Sequence, residues 1–259
     1  ISSLNYYGFA DPLYLITALI PRPGMEFAFV SLAFLRAYLS GIFFYRYIRW
    51  FGVRRGNALL GAASYALCGF AMFSLSVHQI FLNVMMYLPL ILLGFEHLLK
   101  GRRPVLMPVA TALLAFSGYY MLYMTSIFVV VYATFRFFRE YPHRKGRAAL
   151  FFRLFITAAG FYTLGVALAG TTLLPSVWGY LHKATSQMFE GNLLIYSARK
   201  YATELSKLLF LNNENPRAVA IWAFAAAVLM VTRRRTRRRY AAGAAAIFAL
   251  LCLVIPFFG

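Results

Sequence analysis

The sequence predicts an all-α polytopic integral membrane protein with about eight transmembrane helices. Of its 259 residues, 62% are hydrophobic and only 13% are charged, and the mean hydropathy is +0.68. A chain this apolar needs lipid rather than water around most of its surface. Long apolar stretches also alternate with short basic loops, which is typical of helices that cross a bilayer repeatedly.

The basic residues predict how the chain is oriented. Nineteen of the 26 Lys and Arg residues fall in four clusters between apolar stretches, namely Arg46/Arg49/Arg54/Arg55, Lys100/Arg102/Arg103, Arg136/Arg139/Arg144/Lys145/Arg147/Arg153 and Arg233/Arg234/Arg235/Arg237/Arg238/Arg239. Short loops rich in Lys and Arg stay cytoplasmic, so these clusters mark the inner face and place the N-terminus outside. A net charge of +19 also suits nucleic-acid binding, but that function requires a soluble basic face, and none is predicted.

The predicted spans follow from length, since a crossing helix needs roughly 20 apolar residues. They cover residues 27–47, 57–77, 80–99, 104–120, 121–138, 154–174, 218–232 and 241–258. Residues 117–120 between the fourth and fifth spans predict a tight helical hairpin. Because the chain starts without Met and ends inside an apolar run, we expect a transmembrane fragment of a longer protein.

Two further segments are predicted to lie on the outer face. Residues 1–26 contain a helix over residues 12–20 that is too short to cross, so an interfacial or re-entrant segment is expected. Residues 175–217 form the longest outer loop, and leucines recur there at helical spacing. Lys200 and Glu204 make an i,i+4 pair, so an amphipathic helix over residues 193–209 is expected on the outer leaflet.

No soluble-enzyme motif is present, whether phosphate loop, paired metal-ligand spacing or nucleophile elbow. The polar residue that most strongly indicates a function is Arg36. It lies near the middle of the first span, where a charge costs about 2.5–3.5 kcal/mol. Its helical neighbours Ala33, Ala37 and Ser40 predict that it faces the bundle interior. There its guanidinium would bind a lipid-linked phosphate. The alternative is a structural pair with an inward carboxylate or with helix-end carbonyls.

Asp11 and Glu26 are the first outer-face carboxylates. A carboxylate facing an outer cavity would deprotonate an acceptor hydroxyl, or hold a divalent cation such as Mg²⁺ or Mn²⁺ against a phosphate. Asp11 is the candidate catalytic residue. The alternative is that Asp11 simply caps the short helix opened by Pro12, since Asp-Pro is a common helix start.

The remaining candidates are interface residues on the same outer side. Those predicted to contact substrate are Tyr6, Tyr7, His78, Tyr119, Tyr120, His182 and Lys183. Those predicted to contact a lipid phosphate besides Arg36 are Arg199 and Lys200. For the tyrosines the alternative is membership of the aromatic belt at the membrane surface. For the histidines it is a hydrogen-bonded anchor.

Several strings in order give a resemblance to a known family. They are residues 43–47 leading to Arg54-Arg55, residues 61–70, His78 with Asn83, and residues 88–96, 117–124 and 173–176. Over most of the chain they resemble the bacterial YfhO membrane-protein family. The resemblance implies a GT-C-type glycosyltransferase architecture in the bacterial cytoplasmic membrane, with the catalytic acid in the first outer loop. Asp11 is the only early Asp available for that role.

The resemblance also implies partners. The donor would be a sugar linked to a polyprenyl phosphate, commonly undecaprenyl phosphate, and the acceptor a lipoteichoic-acid-like envelope polymer on the extracytoplasmic face. Two other functions stay open. One is a flippase or transporter of a lipid-linked sugar, which would also need Arg36 and a polar cavity. The other is a non-catalytic membrane protein of envelope assembly.

Overall fold

The computed structural model describes residues 10–142 and 146–184, and this part of the chain contains helices and no strand. The helices are α1 (Pro12–Leu15), α2 (Met25–Trp50), α3 (Arg55–Ala66), α4 (Gly69–Ser76), α5 (Leu82–Leu99), α6 (Leu106–Ser117), α7 (Tyr119–Glu140), α8 (Arg147–Leu168) and α9 (Gly170–Ala184). Short 3₁₀ turns at Ile16–Leu19, Arg22–Gly24 and Gln79–Phe81 precede α2 and α5. The predicted all-α class is confirmed.

The chain divides into two compact units. The first comprises residues 1–67 and 74–182, and the second residues 68–73 and 183–259. Nearly all described residues belong to the first unit, which carries the core described below. Within the second unit the description is limited to residues 68–73, 183 and 184.

Four helical segments in the described residues are long and apolar enough to cross a membrane: Arg22–Trp50, Gln79–Leu99, Tyr119–Glu140 and Arg147–Leu168. The bent pair Arg55–Ala66 and Gly69–Ser76 brings the number to five if it counts as one span. These segments match five of the six predicted spans up to residue 174. The spans at 218–232 and 241–258 and the amphipathic helix at 193–209 lie outside the described residues.

Two predicted boundaries differ from the observed ones. The predicted span at 104–120 is a helix of 12 residues, α6, which is short for a full crossing. The predicted span at 154–174 is interrupted at Ala169, and a new helix, α9, runs through the predicted start of the outer loop at 175. Hydropathy alone does not locate the break at Ala169, because apolar residues lie on both sides of it.

Helix α5 is the centre of the first unit. It packs on α2 and α6, while α6 in turn packs on α8 and α2 on α3. In the most apolar stretch of Gln79–Leu99, 78% of the residues are buried, against 11% in that of Arg147–Leu168. Pro89 interrupts the hydrogen-bond ladder of α5 because proline has no N–H to offer Met85. The Tyr65 hydroxyl of α3 donates to the Met85 carbonyl at 3.0 Å instead, which satisfies it.

Close helix packing depends on two glycines. A Cβ on Gly94 of α5 would lie 2.6 Å from the backbone nitrogen of Met107 in α6. A Cβ on Gly165 of α8 would lie 2.5 Å from the carbonyl oxygen of Pro108 in α6. Since both clashes involve backbone atoms, neither neighbour can rotate away. Helix α6 is therefore held between two glycine contacts, as is common where membrane helices approach closely.

The described members of the first three basic clusters lie at one end of the bundle, here called the basic end. Arg102 lies over Trp50 at 5.1 Å, which joins the α5–α6 loop to the end of α2. Lys100 pairs with Glu140 at the end of α7. Arg147, in the first turn of α8, lies over Phe138 at 5.1 Å. Helices α2, α5 and α7 therefore end on the same side, as the alternation of spans predicts.

A buried carboxylate ties α5 to α7 just inside this end. Glu96 has no exposed surface, and its Oε1 accepts hydrogen bonds from Arg136 Nε and the Tyr132 hydroxyl, both at 2.6 Å. Tyr47 of α2 donates to the Tyr132 hydroxyl at 2.8 Å. Arg136 also donates to the partly exposed Glu140 at 2.9 Å. No role for Glu96 was predicted from the sequence.

Gly94→Ala and Gly165→Ala are each expected to destabilise the protein, because the added methyl group meets backbone of α6. Overpacking of this kind costs about 1–3 kcal/mol. Gly160→Ala in α8 is the matched control, since its Cβ would meet nothing within 4 Å. Thermal unfolding of the purified protein in detergent measures the difference. Equal melting temperatures for all three variants would show that α6 does not lie between α5 and α8.

Glu96→Gln is expected to destabilise the bundle by roughly 1.5–3 kcal/mol, the usual contribution of a hydrogen bond to a charged group. Glu140→Gln removes a carboxylate from the same network, but one that is 22% exposed, so a loss of about 1 kcal/mol or less is expected. Denaturant unfolding in mixed micelles compares the two. A larger loss for Glu140→Gln would contradict the buried position of Glu96.

Candidate functional site

Arg36 is the centre of a buried polar cluster inside the apolar bundle. It lies on α2 with no exposed surface. Its Nε donates to Asn83 Oδ1 at 2.9 Å, its Nη1 to Gln79 Oε1 at 2.6 Å and its Nη2 to Asp11 Oδ2 at 2.6 Å. All three nitrogens of the guanidinium are therefore engaged, each with a different side chain. The prediction that Arg36 faces the bundle interior is correct, and the buried Ala33, Ala37 and Ser40 share its face.

Asp11 is the one anion of this cluster among the described residues, and it is also fully buried. Its Oδ2 accepts from Arg36 and from Asn83 Nδ2, the latter at 2.8 Å. Its Oδ1 accepts from the backbone N–H of Leu13 at 3.0 Å, which caps α1. The two alternatives raised by the sequence for Asp11 and Arg36, a helix cap and an inward ion pair, are thus both present in this structure.

The cluster is built by three helices and one short segment. Asn83 stands in the first turn of α5, four residues after Gln79, so both face the same side. Asn83 Nδ2 also donates to Ser117 Oγ at 3.0 Å at the end of α6, and Ser117 in turn donates to the carbonyl of Leu113 at 2.9 Å. Gly118 then turns directly into α7 with φ of 156°, a conformation that favours glycine. This is the predicted tight hairpin.

Tyr14 lines the cluster from α1. Its ring lies 4.3 Å from the Arg36 guanidinium carbon and stacks on Phe29 with centroids 5.6 Å apart. Burial raises the pKa of the Tyr14 hydroxyl, so the phenol stays neutral at physiological pH. The aromatic face adds a cation–π contact to the ion pair. Arg36 is therefore enclosed by one carboxylate, two amide oxygens and an aromatic ring.

The position of the cluster follows from the direction of the helices. Asn83 lies in the first turn of α5, and Lys100 at the basic end follows its last residue, so the cluster lies toward the opposite end of the bundle. Ser117 ends α6, a helix that begins beside the basic loop at residues 102 and 103. The buried ion pair and the exposed arginines of the three basic clusters thus lie toward opposite ends of the bundle.

The other predicted site residues whose side chains are described are not among the partners of Arg36 named above. His78 is exposed and lies edge-on to Phe81 with centroids 5.5 Å apart. Tyr119 packs partly buried against the core, and Tyr120 is 42% exposed. Glu26 is exposed in the first turn of α2. For these four residues, a role in a common site with Arg36 stays a prediction.

The remaining predicted residues fall where side chains are not described. His182 and Lys183 belong to α9, whose side chains beyond Trp178 are not described. Tyr6, Tyr7, Arg199 and Lys200 lie outside the described residues.

Sequence reasoning did not include Gln79, Asn83 and Ser117 among the site residues. The signal for the first two is their spacing: two amides four residues apart at the start of an otherwise apolar helix point to one shared partner. Ser117 had no such signal, because a serine at a membrane hairpin is usually bonded only to its own helix. Here it does bond its own helix, and it also accepts from Asn83.

The cluster does not fit a divalent cation. Asp11 is its one carboxylate in the part of the chain that the structure describes, and both of its oxygens already accept hydrogen bonds. Within that same part no group of three or more His, Cys, Asp and Glu side chains is placed to hold a metal ion. A guanidinium at 2.6 Å would also repel a second cation. The Mg²⁺ or Mn²⁺ raised by the sequence thus has no ligand set in this cluster.

Arg36→Met is expected to destabilise the protein by about 3–5 kcal/mol, because it leaves a buried carboxylate without its cation. Arg22→Met is the control, since Arg22 is exposed in the 3₁₀ turn that leads into α2. The double variant Asp11→Asn/Arg36→Met should lose much less than the sum of the two single losses. Thermal unfolding in detergent measures all four proteins, and additive losses would show that the two side chains do not interact.

Comparison with known proteins places the chain in a family. A family model described as bacterial membrane protein YfhO matches residues 1–258. One similar protein, named "Uncharacterized protein YfhO", comes from Bacillus subtilis (strain 168) and is 32% identical over 142 residues. That match covers 51% of this chain and 16% of the Bacillus protein, so the matched part is about a sixth of that relative's length. No solved structure matches the chain.

The match over nearly the whole chain agrees with the all-helical structure and its apolar spans. The order of the quoted sequence strings pointed to the same family. The chain is a multi-pass membrane protein of the bacterial envelope and belongs to the YfhO family.

Proposed function

We propose that this chain is part of a membrane glycosyltransferase of the GT-C type. Its donor is a sugar linked to a polyprenyl phosphate, its acceptor is an envelope polymer of the lipoteichoic-acid kind, and the reaction takes place on the extracytoplasmic face. The observation that carries the proposal is the buried Arg36–Asp11 pair at 2.6 Å. It supplies a cation for a phosphate and a carboxylate for a hydroxyl proton at one place.

The depth of Arg36 supports a lipid-linked substrate. A charged residue inside a membrane bundle is costly and usually marks a substrate or ion pathway. The guanidinium fork matches phosphate geometry, because it offers parallel N–H donors to two oxygens. A phosphate attached to a polyprenyl chain stays at the membrane surface, near the end of the bundle where this cluster lies. A soluble sugar nucleotide has no lipid chain that would hold its phosphate at this depth.

The proposed step is a displacement at the anomeric carbon of the sugar. The acceptor hydroxyl oxygen forms a new bond to that carbon while the bond from carbon to phosphate oxygen breaks. The polyprenyl phosphate leaves with the electron pair, and Asp11 takes the acceptor proton as general base. Arg36 stabilises the negative charge that grows on the leaving phosphate. No acid is required for the leaving group, because a phosphate is stable as an anion.

The orientation is part of the proposal. The basic end carries arginines and lysines from three clusters, and the positive-inside rule places it in the cytoplasm. The Arg36 cluster, toward the other end of α5, then faces the outside, where envelope polymers are assembled. This arrangement also suits a flippase of lipid-linked sugars, so the decisive experiment measures transfer and movement separately.

Asp11→Asn in the full-length protein is expected to lower sugar transfer by about 10²–10⁴-fold, the usual contribution of a general base. The measurement uses vesicles loaded with polyprenyl-phosphate-linked radioactive sugar and purified lipoteichoic acid as acceptor. Glu26→Gln is the matched control, since it neutralises an exposed carboxylate at the same end of the bundle. Each variant is checked for correct folding by size-exclusion chromatography before its rate is compared.

Full transfer by a folded Asp11→Asn variant would remove Asp11 as the base. Movement of the labelled lipid across the bilayer without any transfer by the unmodified protein would favour the flippase instead. Absence of both would favour a non-catalytic role in envelope assembly.

A further inference from the structure

The Arg36 cluster contains a frame that does not depend on Asp11. Arg36 is held by Gln79 Oε1 and Asn83 Oδ1 at 2.6 and 2.9 Å. Asn83 is held in turn by Ser117 at 3.0 Å. These four residues lie on α2, α5 with its leading turn, and α6, which pack directly on one another. If Asp11 left, the guanidinium would still be fixed in position by neutral partners.

Two donors of this frame converge on one point. Arg36 Nη2 and Asn83 Nδ2 both donate to Asp11 Oδ2, at 2.6 and 2.8 Å. Convergence of a guanidinium N–H and an amide N–H on one anionic oxygen is an anion-binding arrangement, and a phosphate oxygen satisfies it as well as a carboxylate oxygen. Asp11 thus occupies a small anion site that the three helices form.

Asp11 reaches the site on a lightly anchored segment. It precedes a helix of only four residues, followed by a 3₁₀ turn at Ile16–Leu19. None of residues 12–19 is buried, whereas α2, α5 and α6 each bury several side chains. At the site, Asp11 and Tyr14 hold the segment through their side-chain contacts. Moving this segment therefore breaks fewer buried contacts than moving α2, α5 or α6 would.

Charge balance prevents Asp11 and a phosphate from sharing the site. With Asp11 in place, one cation faces one anion, and a phosphate added beside them would bring a second buried negative charge without a partner. Exchange of one anion for the other keeps the balance. It also moves Asp11 out of an ion pair in which both of its oxygens are occupied, and into a position to accept a proton.

We propose that Asp11 is a built-in competitor for the anion site of Arg36 and Asn83, and that the phosphate of a membrane lipid displaces it. The inference deepens the proposed function, on which its assignment to a donor lipid rests. Gln79, Asn83 and Ser117 become positioning residues for Arg36, and Asn83 also contacts the phosphate. The base becomes available only when a phosphate has entered, so acceptor activation is linked to donor binding.

The test measures how tightly the Asp11→Asn variant binds a lipid phosphate. Competition predicts that this variant binds more tightly than the unmodified protein, whereas most changes in a binding site weaken binding. If Asp11 occupies the anion site in all but 1–10% of the molecules, removing its charge tightens the apparent affinity for the probe by roughly ten- to a hundredfold. The probe is decaprenyl phosphate added to the full-length protein in nanodiscs without anionic lipid. Glu26→Gln should bind like the unmodified protein, and Asn83→Leu should bind more weakly than it does.

A second measurement keeps Asp11 in place. Leu13 is partly buried against the core in this structure. In a protein whose Cys68 and Cys252 are changed to alanine, Leu13→Cys should react faster with a membrane-impermeant maleimide when decaprenyl phosphate is present. The same labelling experiment is repeated with inorganic phosphate in place of the lipid. A response to inorganic phosphate at equal concentration would show that the site takes free phosphate rather than a lipid headgroup.

Equal or weaker binding by Asp11→Asn, or Leu13→Cys labelling that the probe leaves unchanged, would overturn the exchange. Loss of sugar transfer with unaltered probe binding would leave Asp11 as a base and remove it as a competitor. Tighter probe binding in a protein that transfers no sugar would leave the exchange standing and remove the transferase.

Discussion

The ion pair between Arg36 and Asp11 is the interaction on which the described part of this protein depends. A guanidinium without any exposed surface inside an apolar bundle is stable only when its hydrogen bonds and its charge are both satisfied. Side chains from three helices and one short segment supply the hydrogen-bond acceptors and the opposite charge that Arg36 needs. These contacts constrain how the four elements pack together. Gln79 lies in the 3₁₀ turn before α5 and Asn83 in the first turn of α5, so α5 must be rotated to point both side chains at Arg36. The close glycine contacts of α6 then bring Ser117 within reach of Asn83.

The two ends of the bundle use charge differently. At the basic end, charged groups are numerous and mostly exposed, and the one fully buried acid there, Glu96, is held by Arg136 and Tyr132. At the other end the described site has one cation and one anion, both fully buried. Exposed arginines set the orientation of a membrane protein at little energetic cost. A buried pair is far more expensive, so its presence calls for a reason beyond orientation, and the proposed phosphate exchange supplies one.

Much of the fold was predictable from the sequence, because the bilayer imposes length and apolarity on a crossing helix. Five of the six predicted spans up to residue 174 correspond to observed helices or to the bent α3–α4 pair. The hairpin at Gly118 and the inward face of Arg36 were also predicted. The exact ends of α6 and the break at Ala169 were not, because hydropathy does not resolve single helix ends and apolar residues lie on both sides of Ala169. Backbone breaks there follow from packing against other helices, which composition does not record.

The site was predictable only in part. Arg36 and Asp11 were recognisable as a costly cation and an early outer acid, but nothing local showed that residues 25 positions apart form a pair at 2.6 Å. The amides at 79 and 83 carried a spacing signal, whereas Ser117 reaches the cluster purely through tertiary packing.

The most direct measurement is an experimental structure of the full-length protein with and without a polyprenyl-phosphate-linked sugar. We expect Asp11 to contact Arg36 in the absence of the lipid, and the phosphate to replace Asp11 beside Arg36 and Asn83 in its presence. An intact Asp11–Arg36 contact with the phosphate bound elsewhere would contradict the account.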